Sequence, residues 1–274
     1  MSTPRLVDTH CHLILPEMAG DVAETMERAR RAGVHTVVVP GVDLETSRRA
    51  VALAESTPGV YAAVGLHPHY AEAWSAQARL ELKAMAASPR VVAIGEIGLD
   101  YYRNLAPPEA QILAFRSQLD LAGELGRPVI VHSREALGDI LTAVEAWPAA
   151  APGAGSRPVG VLHAYAGGPD EARRAIEMGW MLGVAGPITY PKADRLRQTL
   201  AGVPLSSLLV ETDAPYLTPA PYRGRRNEPA HVALVAAGLA TALDRVPADI
   251  DAATSANAAR LFGWMDEHTN RNLL

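Results

Sequence analysis

The sequence predicts an α/β protein, a closed (β/α)8 TIM barrel forming a single domain over 1–274. Three observations carry this. Short apolar runs alternate with longer amphipathic ones along the chain, the pattern of a parallel sheet with crossover helices. The alternation yields eight strand-like runs, the number that closes a barrel. The 274 residues are close to the ~250 at which α/β barrels fold as one unit. An open doubly wound sheet is the competing architecture, but the first strand is not followed by the glycine-rich GxGxxG turn that such folds use for phosphates.

The strands are expected at 5–10, 34–39, 60–65, 91–95, 128–131, 159–163, 180–184 and 207–211. The first is followed by an amphipathic helix over 18–32, the second by 43–55, the third by 74–87 and the fourth by 107–125. Helices over 134–146, 169–178 and 191–201 follow the next three strands, and two helices, 228–243 and 247–262, follow the last. Asn227 is expected to cap the first of these two, with Pro229 at an early helical position. The Pro/Gly/Ala-rich segment 148–158 joins a helix to a strand. It is therefore expected as a loop on the N-terminal face of the barrel, away from the chemistry.

Composition narrows the class. Hydrophobic residues make up 49% of the chain, enough for a large core. The net charge of −5 gives no global basic character suited to nucleic acid, although a local basic groove would be averaged away. Cys11 is the only cysteine, so no intrachain disulfide can form and a reducing compartment is expected. The beginning, MSTPRLVDTH, has no apolar secretory core. No run approaches the ~18 apolar residues of a membrane span. A soluble cytoplasmic protein, with no membrane association, is expected.

The chemistry-bearing residues fall at the ends of strands. The first strand ends in Asp8-Thr9-His10-Cys11-His12. Residues two apart share a face, so His10 and His12 project together as half of a metal site, while Cys11 points away as a buried thiol. The fourth strand carries Glu96 between glycines after an apolar run. A carboxylate there needs a partner or a cation, and its two oxygens can bridge two metals. The fifth and sixth strands each end in one histidine, His132 and His163, and Asp213 lies just past the eighth. Any one of these has an ordinary structural explanation. Six together, at the end of the barrel where such enzymes place their active sites, point to a metal centre. His35, at the start of its strand, and His231 are expected to be structural; His69 is a candidate for the site entrance, and His268 lies in a polar tail.

The segments DTHCHL (8–13), GLHPH (65–69), GEIGLDYYRNLAP (95–107), VHSR (131–134), ETDAPYLTP (211–219) and PYRGRRNEP (221–229) resemble the TatD family of metal-dependent hydrolases, and the likeness covers essentially the whole chain. The resemblance implies a TIM barrel of the metal-dependent hydrolase type, two divalent ions (Mg, Mn or Zn), and 3′–5′ exonuclease or other DNase activity. It would make His10, His12 and Asp213 ligands of one ion, His132 and His163 ligands of the other, and Glu96 the bridge. His67 would stand at the site without being a ligand. The sequence departs from many relatives at Ala164-Tyr165-Ala166-Gly167 after His163, which bears on substrate shape rather than on metal binding.

Two ions at such a site can hold a bridging hydroxide for attack on a phosphodiester, with Asp213 as general base; Asp213, Glu96 and His67 are the catalytic candidates. Tyr101, Tyr102, Tyr165, Tyr190, Tyr216 and Tyr222 fall just after strands and are candidates for stacking on bases. Arg103, Arg134, Lys192, Arg223, Arg225 and Arg226 are candidates for phosphate contacts. Tyr101, Arg103, Tyr165 and Arg223 are the primary substrate-binding candidates. Single-stranded DNA ends fit better than duplex grooves, since no base-reading helix is present; no obligate protein partner is expected. Hydrolysis of an amide or ester by the same centre is the alternative enzyme reading, and a non-catalytic metal-binding protein the third.

Overall fold

The computed structural model describes residues 6–147 and 157–264. Eight parallel strands run in chain order: β1 (Leu6–Asp8), β2 (Val34–Pro40), β3 (Val60–Val64), β4 (Val91–Asp100), β5 (Val129–Arg134), β6 (Gly160–Leu162), β7 (Trp180–Val184) and β8 (Leu208–Val210). β1 and β8 meet just beyond their named ends. The Thr9 and His12 amides donate to the Val210 and Ala214 carbonyls at 3.2 and 2.8 Å, and the Asp213 amide donates to the His10 carbonyl at 2.8 Å. Asp8, fully buried, reinforces this seam by accepting from the Thr212 amide at 2.9 Å and the Thr212 hydroxyl at 2.6 Å. The predicted (β/α)8 barrel is thus the observed fold.

The helices are α1 (Pro16–Ala19), α2 (Val22–Arg31), α3 (Leu44–Ser56), α4 (Ala76–Met85), α5 (Pro108–Leu125), α6 (Leu137–Glu145), α7 (Pro169–Glu177), α8 (Asp194–Ala201), α9 (Val232–Ala242) and α10 (Pro247–Phe262). The helix expected over 18–32 is broken at Gly20-Asp21 into α1 and α2. The one expected from 134 begins at Leu137 because β5 continues through Arg134. The one expected from 228 opens as a 3-10 turn, Pro229–His231, ahead of α9, with Glu228 rather than Asn227 in the capping position. Asn227 is buried instead, and its side chain bonds to the loop after β8. Most of the loop expected over 148–158, and the tail containing His268, lie outside the described residues.

Side chains from all eight strands pack together inside the barrel. Val7, Val38, Ala63, Val92, Ile130, Val161, Met181 and Leu209 form one buried cluster, which includes Ala258, Leu261 and Phe262 of α10. Trp264, just past α10, stacks on Tyr61 near the start of β3. Arg157, just before β6, donates to the Leu261 carbonyl. The C-terminal end of α10 therefore closes the N-terminal face, leaving the opposite face to the loops after the strands. Among the described residues no helix is long and apolar enough to cross a membrane.

Candidate metal centre

Strand alternation carries three of the site residues to the open face. Ile130, Val161 and Leu209 point into the barrel; two residues further on, the same face presents His132, His163 and Glu211, and Asp213 follows Glu211 by two. Counting from Ile94, which packs in the outer core, strict alternation would not bring Glu96 there. Between the paired positions Ile94–Val129 and Ile97–Val131, β4 advances three residues while β5 advances two. This bulge re-aims the β4 side chains. Ile97 packs in the outer core while Glu96, only 2% exposed, turns into the site. Gly98 makes the close approach of the two strands possible: its φ is +141°, and a Cβ there would lie 2.0 Å from the His132 carbonyl oxygen.

Glu96 is the centre of the cluster. Its Oε2 lies 3.4 and 3.5 Å from Nε2 of His10 and His12. Those two nitrogens are 3.1 Å apart, and Asp213 Oδ1 is 3.7 and 3.5 Å from them. On the other side, Glu96 Oε1 lies 3.0 Å from His132 Nδ1 and 3.1 Å from His163 Nε2, themselves 3.3 Å apart. Ligand atoms bound tetrahedrally at ~2.0–2.1 Å are about 3.3–3.4 Å from one another. All the separations quoted fall near that edge length. Lone-pair nitrogens converging so closely need a proton or a cation between them, so the donor set fits divalent ions. Among the described residues the buried Nδ1 atoms of His10, His12 and His163 have no hydrogen-bond partner; for His10 and His12 this leaves Nε2 as the engaged end.

Two more carboxylates stand behind the imidazoles. Asp100 Oδ2 is 3.2 Å from His132 Nε2 and 2.9 Å from His69 Nε2, and Oδ1 accepts from the amides of Tyr102 and Arg103. Glu211 Oε1 is 3.3 Å from His163 Nδ1 and accepts from the Ala164 amide. Asp100 takes the proton-bearing nitrogen of His132 and leaves its Nδ1 facing Glu96, while Glu211 lies at ion-pair distance from His163 Nδ1, on the side of the ring away from Glu96. His67 differs. Its Nδ1 accepts from the His69 amide at 3.1 Å, so in the neutral ring the proton is on Nε2, which lies 3.6 Å from Glu96 Oε1. That atom can donate to the site but has no lone pair for a metal. His69, the entrance candidate, is a partner of Asp100. Cys11 is buried, as expected.

Electrostatics follow from this packing. Burial opposes ionisation of Glu96, yet the surrounding imidazoles, His163 foremost, hold its carboxyl well below the usual range. Burial likewise disfavours a charged His163, but Glu96 and Glu211 raise it well above the ordinary histidine value. Burial pushes Asp213 up and His12 and its neighbours pull it down further, for a net lowering.

The structure places the candidate tyrosines in unlike surroundings. Tyr165 is 5% exposed, and its hydroxyl donates to the Gly168 carbonyl at 2.7 Å; its ring belongs to the wall and is not a free stacking face. Tyr101 is half-buried and donates to Asp139 at 2.8 Å. Tyr222 is already stacked on His231, and Tyr102 and Tyr190 lie under the guanidinium groups of Arg134 and Arg223. Tyr216 is exposed, 6.3 Å from the His12 ring, and is the tyrosine both open and close to the centre. Arg103 is exposed on the loop after β4. Arg226, by contrast, is held in a two-pronged pair with Asp21. Sequence reasoning missed Asp100 and Glu211 as site residues. The signal was there: Glu211 precedes Asp213 by two, and Asp100 follows Glu96 by four at the end of the same strand.

Asn227 anchors the loop that carries Asp213. Its amide group donates to the Thr212 carbonyl at 2.9 Å and the Tyr216 carbonyl at 2.6 Å, and its oxygen accepts from the Glu228 amide. Asp213 itself has φ +56°, a strained conformation for a residue other than glycine that needs such external support.

Known proteins share this architecture and sequence. The chain is 37% identical over 257 residues to the metal-dependent hydrolase YabD of Bacillus subtilis, covering 94% of this chain and 98% of the relative. It is 41% identical over 248 residues to the 3′–5′ ssDNA/RNA exonuclease TatD of Cronobacter turicensis, covering 88% and 92%. The crystal structure of the TatD homologue YjjV from Escherichia coli superposes with a TM-score of 0.88 at 35% identity, covering 96% of this chain and 100% of that one. The family model for TatD-related DNases matches residues 7–263, and the chain belongs to that family.

Proposed function

We propose that this protein is a two-metal phosphodiesterase that removes nucleotides from the 3′ end of single-stranded DNA. The observation that carries the reading is the division of labour at Glu96: one oxygen faces His10, His12 and the Asp213 side, the other faces His132 and His163. His10, His12 and Asp213 would hold one divalent ion, His132 and His163 the other, with Glu96 shared; Mg, Mn and Zn all suit this mixed nitrogen and oxygen set. Bound there, such ions make an attacking water acidic near neutral pH and offset charge on phosphoryl oxygens.

The chain's own residues do the rest. Asp213, held ionised by its histidine neighbours, accepts the proton of the attacking water. The Nε2–H of His67 donates toward a phosphoryl oxygen beside Glu96. Asp100 and Glu211 fix the rings of His132 and His163. At the rim, Tyr216 offers a face to a terminal base, and Arg103 and Arg223 offer charge to the strand. The described helices pack as barrel crossovers with no separate base-reading helix among them, so cleavage has little sequence preference. The single, buried, reduced Cys11 suits the cytoplasm. The names of the relatives support a nucleic-acid substrate, and the ring of donors supports metal dependence.

The test is hydrolysis of a 5′-labelled single-stranded oligonucleotide by wild type and Glu96→Ala, stripped of metal and then given Mg²⁺, Mn²⁺ or Zn²⁺. A ladder shortening from the 3′ end, absent in Glu96→Ala, is the expected result. Stoichiometric metal with no cleavage under any ion would reject the nuclease reading and favour an amide or ester substrate.

A further inference from the structure

A groove leaves the metal centre on the His163 side, built by the loops after β5, β6, β7 and β8 and by the start of α8. The inner stretch is a cavity of 290 Å³ that His163 itself lines, and the outer stretch is a cavity of 460 Å³. The two share Ala166, Gly167 and Arg195, so they form one path. Both are about the size of ligand pockets. The floor is bare backbone at Gly167 and Gly168. A Cβ on Gly167 would meet Leu137 and the Tyr165 hydroxyl at 2.5 Å, and one on Gly168 would meet Glu171 Oε2 at 2.8 Å.

The walls combine apolar surface with free cations. Pro187, Pro191 and Leu196 line the outer stretch, beside Lys192, Arg195 and Arg223. Most arginines of this protein are committed elsewhere; Arg197, one residue beyond Leu196, binds Asp194 and three carbonyls. Among the described residues the side chains of Lys192 and Arg195 have no hydrogen-bond or ion-pair partner, and Arg223, which lies over the Tyr190 ring at 4.2 Å, has no carboxylate partner. The carboxylates on the path, Glu135 and Glu171, line only its inner stretch.

We infer that this groove seats the two or so nucleotides on the 5′ side of the scissile bond, bases against the apolar wall and phosphates on Lys192, Arg195 and Arg223. The inference rests on the proposed nuclease activity. An enzyme cutting at a 3′ end has one nucleotide downstream, so an extended cationic path can only hold the upstream strand. Free cations beside flat apolar surface match that chemistry, in which phosphates alternate with bases.

The experiment compares wild type, Lys192→Ala and Arg195→Glu on single-stranded substrates of two to eight nucleotides, with bis(p-nitrophenyl) phosphate as a diester too short to reach the groove. Both side chains are exposed, and melting temperature checks that the fold is kept. Wild type should show KM falling about tenfold between two and five nucleotides and then levelling, in line with phosphate and stacking contacts. Arg195→Glu should abolish most of that fall, raising KM for long substrates at least fivefold more than for the dinucleotide, with kcat changed less. Anisotropy of a labelled pentanucleotide in EDTA reads the same contacts without turnover and should show weaker, less salt-dependent binding in both variants. Length-independent KM in wild type, or an unaltered length profile in Arg195→Glu, overturns the inference. Hydrolysis of the small diester with no cleavage of any oligonucleotide overturns it while leaving a metal-dependent phosphodiesterase. Loss of both reactions in metal-loaded wild type rejects the nuclease reading itself, and the groove assignment with it.

Discussion

Asp100→Asn isolates the contribution of a carboxylate that stands behind the imidazoles of His132 and His69. In the native site Oδ1 accepts from the Tyr102 amide at 3.1 Å and the Arg103 amide at 2.7 Å, while Oδ2 takes Nε2–H of His132 and His69. Asparagine keeps an oxygen for the two amides, so the turn after β4 is preserved. In place of Oδ2 it presents an NH2 group. His132 must then carry its proton on Nδ1, the nitrogen 3.0 Å from Glu96 Oε1, and that nitrogen can no longer bind a cation. Hydrogen bonds to charged groups contribute about 1.5–3 kcal/mol, which is roughly a 10- to 150-fold change in an equilibrium constant. This agrees with the ~10- to 100-fold cost usual for outer-shell partners of metal ligands. Calorimetric titration of chelator-stripped protein with Mn²⁺ should therefore show one binding event weakened about 10- to 100-fold. The other should change little, because His10, His12 and Asp213 do not touch Asp100. Two unchanged events would refute the assignment of Asp100 as the group that sets the His132 tautomer.

Further outcomes follow from the same geometry. Asp213→Ala should bring cleavage to background while the melting temperature stays within a few degrees; activity near wild type would remove Asp213 as the base. Asn227→Ala should cost about 1–3 kcal/mol in urea unfolding through two abandoned carbonyls and also lower kcat, because the Asp213 loop loses its anchor; a stability loss with kcat intact would separate the two roles. Gly98→Ala should destabilise by about 2–4 kcal/mol, since the added methyl strikes the His132 carbonyl at an unfavourable φ; equal unfolding midpoints would contradict the close packing of β4 on β5. Metal affinity should fall with falling pH and the titration should release protons. Glu96 and Glu211 raise His163 well above the ordinary histidine value, which favours a proton there in the metal-free protein that binding must displace. Calorimetry in buffers of different ionisation enthalpy checks this, and an affinity independent of pH between 6 and 8 would oppose it (about tenfold per pH unit is expected for each proton displaced).

How much could be read from the sequence depended on whether a position obeyed simple periodicity. His132 and His163 end apolar strands whose interior residues, Ile130 and Val161, fix the parity two steps earlier, so their placement follows from counting. Glu96 was found for a different reason: an ionisable residue among glycines and aliphatics is costly without a partner. The bulge that turns it inward could not be read, because it depends on the register between β4 and β5. The setting of Tyr165 could not be read, because periodicity gives the loop but not the path within it. The chain folds its ring back so that the hydroxyl reaches Gly168. Arg195 was overlooked because it sits within α8, where a charged residue usually means a solvated face; only the meeting of the loops after β5 to β8 makes its surroundings a groove.

The charge balance of the centre connects the metal ligands to the groove. Glu96, Asp213, Asp100 and Glu211 are four buried carboxylates within one cluster of carboxylate–imidazole pairs. If the histidines act as neutral ligands, two divalent cations would cancel these charges without excess. An anionic strand then meets strong local fields at the ions and little net attraction from the site as a whole. Long-range capture has to come from cations elsewhere, because a buried neutral cluster exerts little force beyond a Debye length of about 8–10 Å. In a protein with a net charge of −5, that requires basic side chains left unpaired near the mouth. Lys192, Arg195 and Arg223 meet the requirement, whereas Arg226, paired with Asp21, does not. Substrate capture should thus be more sensitive to salt than the chemical step, with KM rising and kcat nearly flat as ionic strength increases.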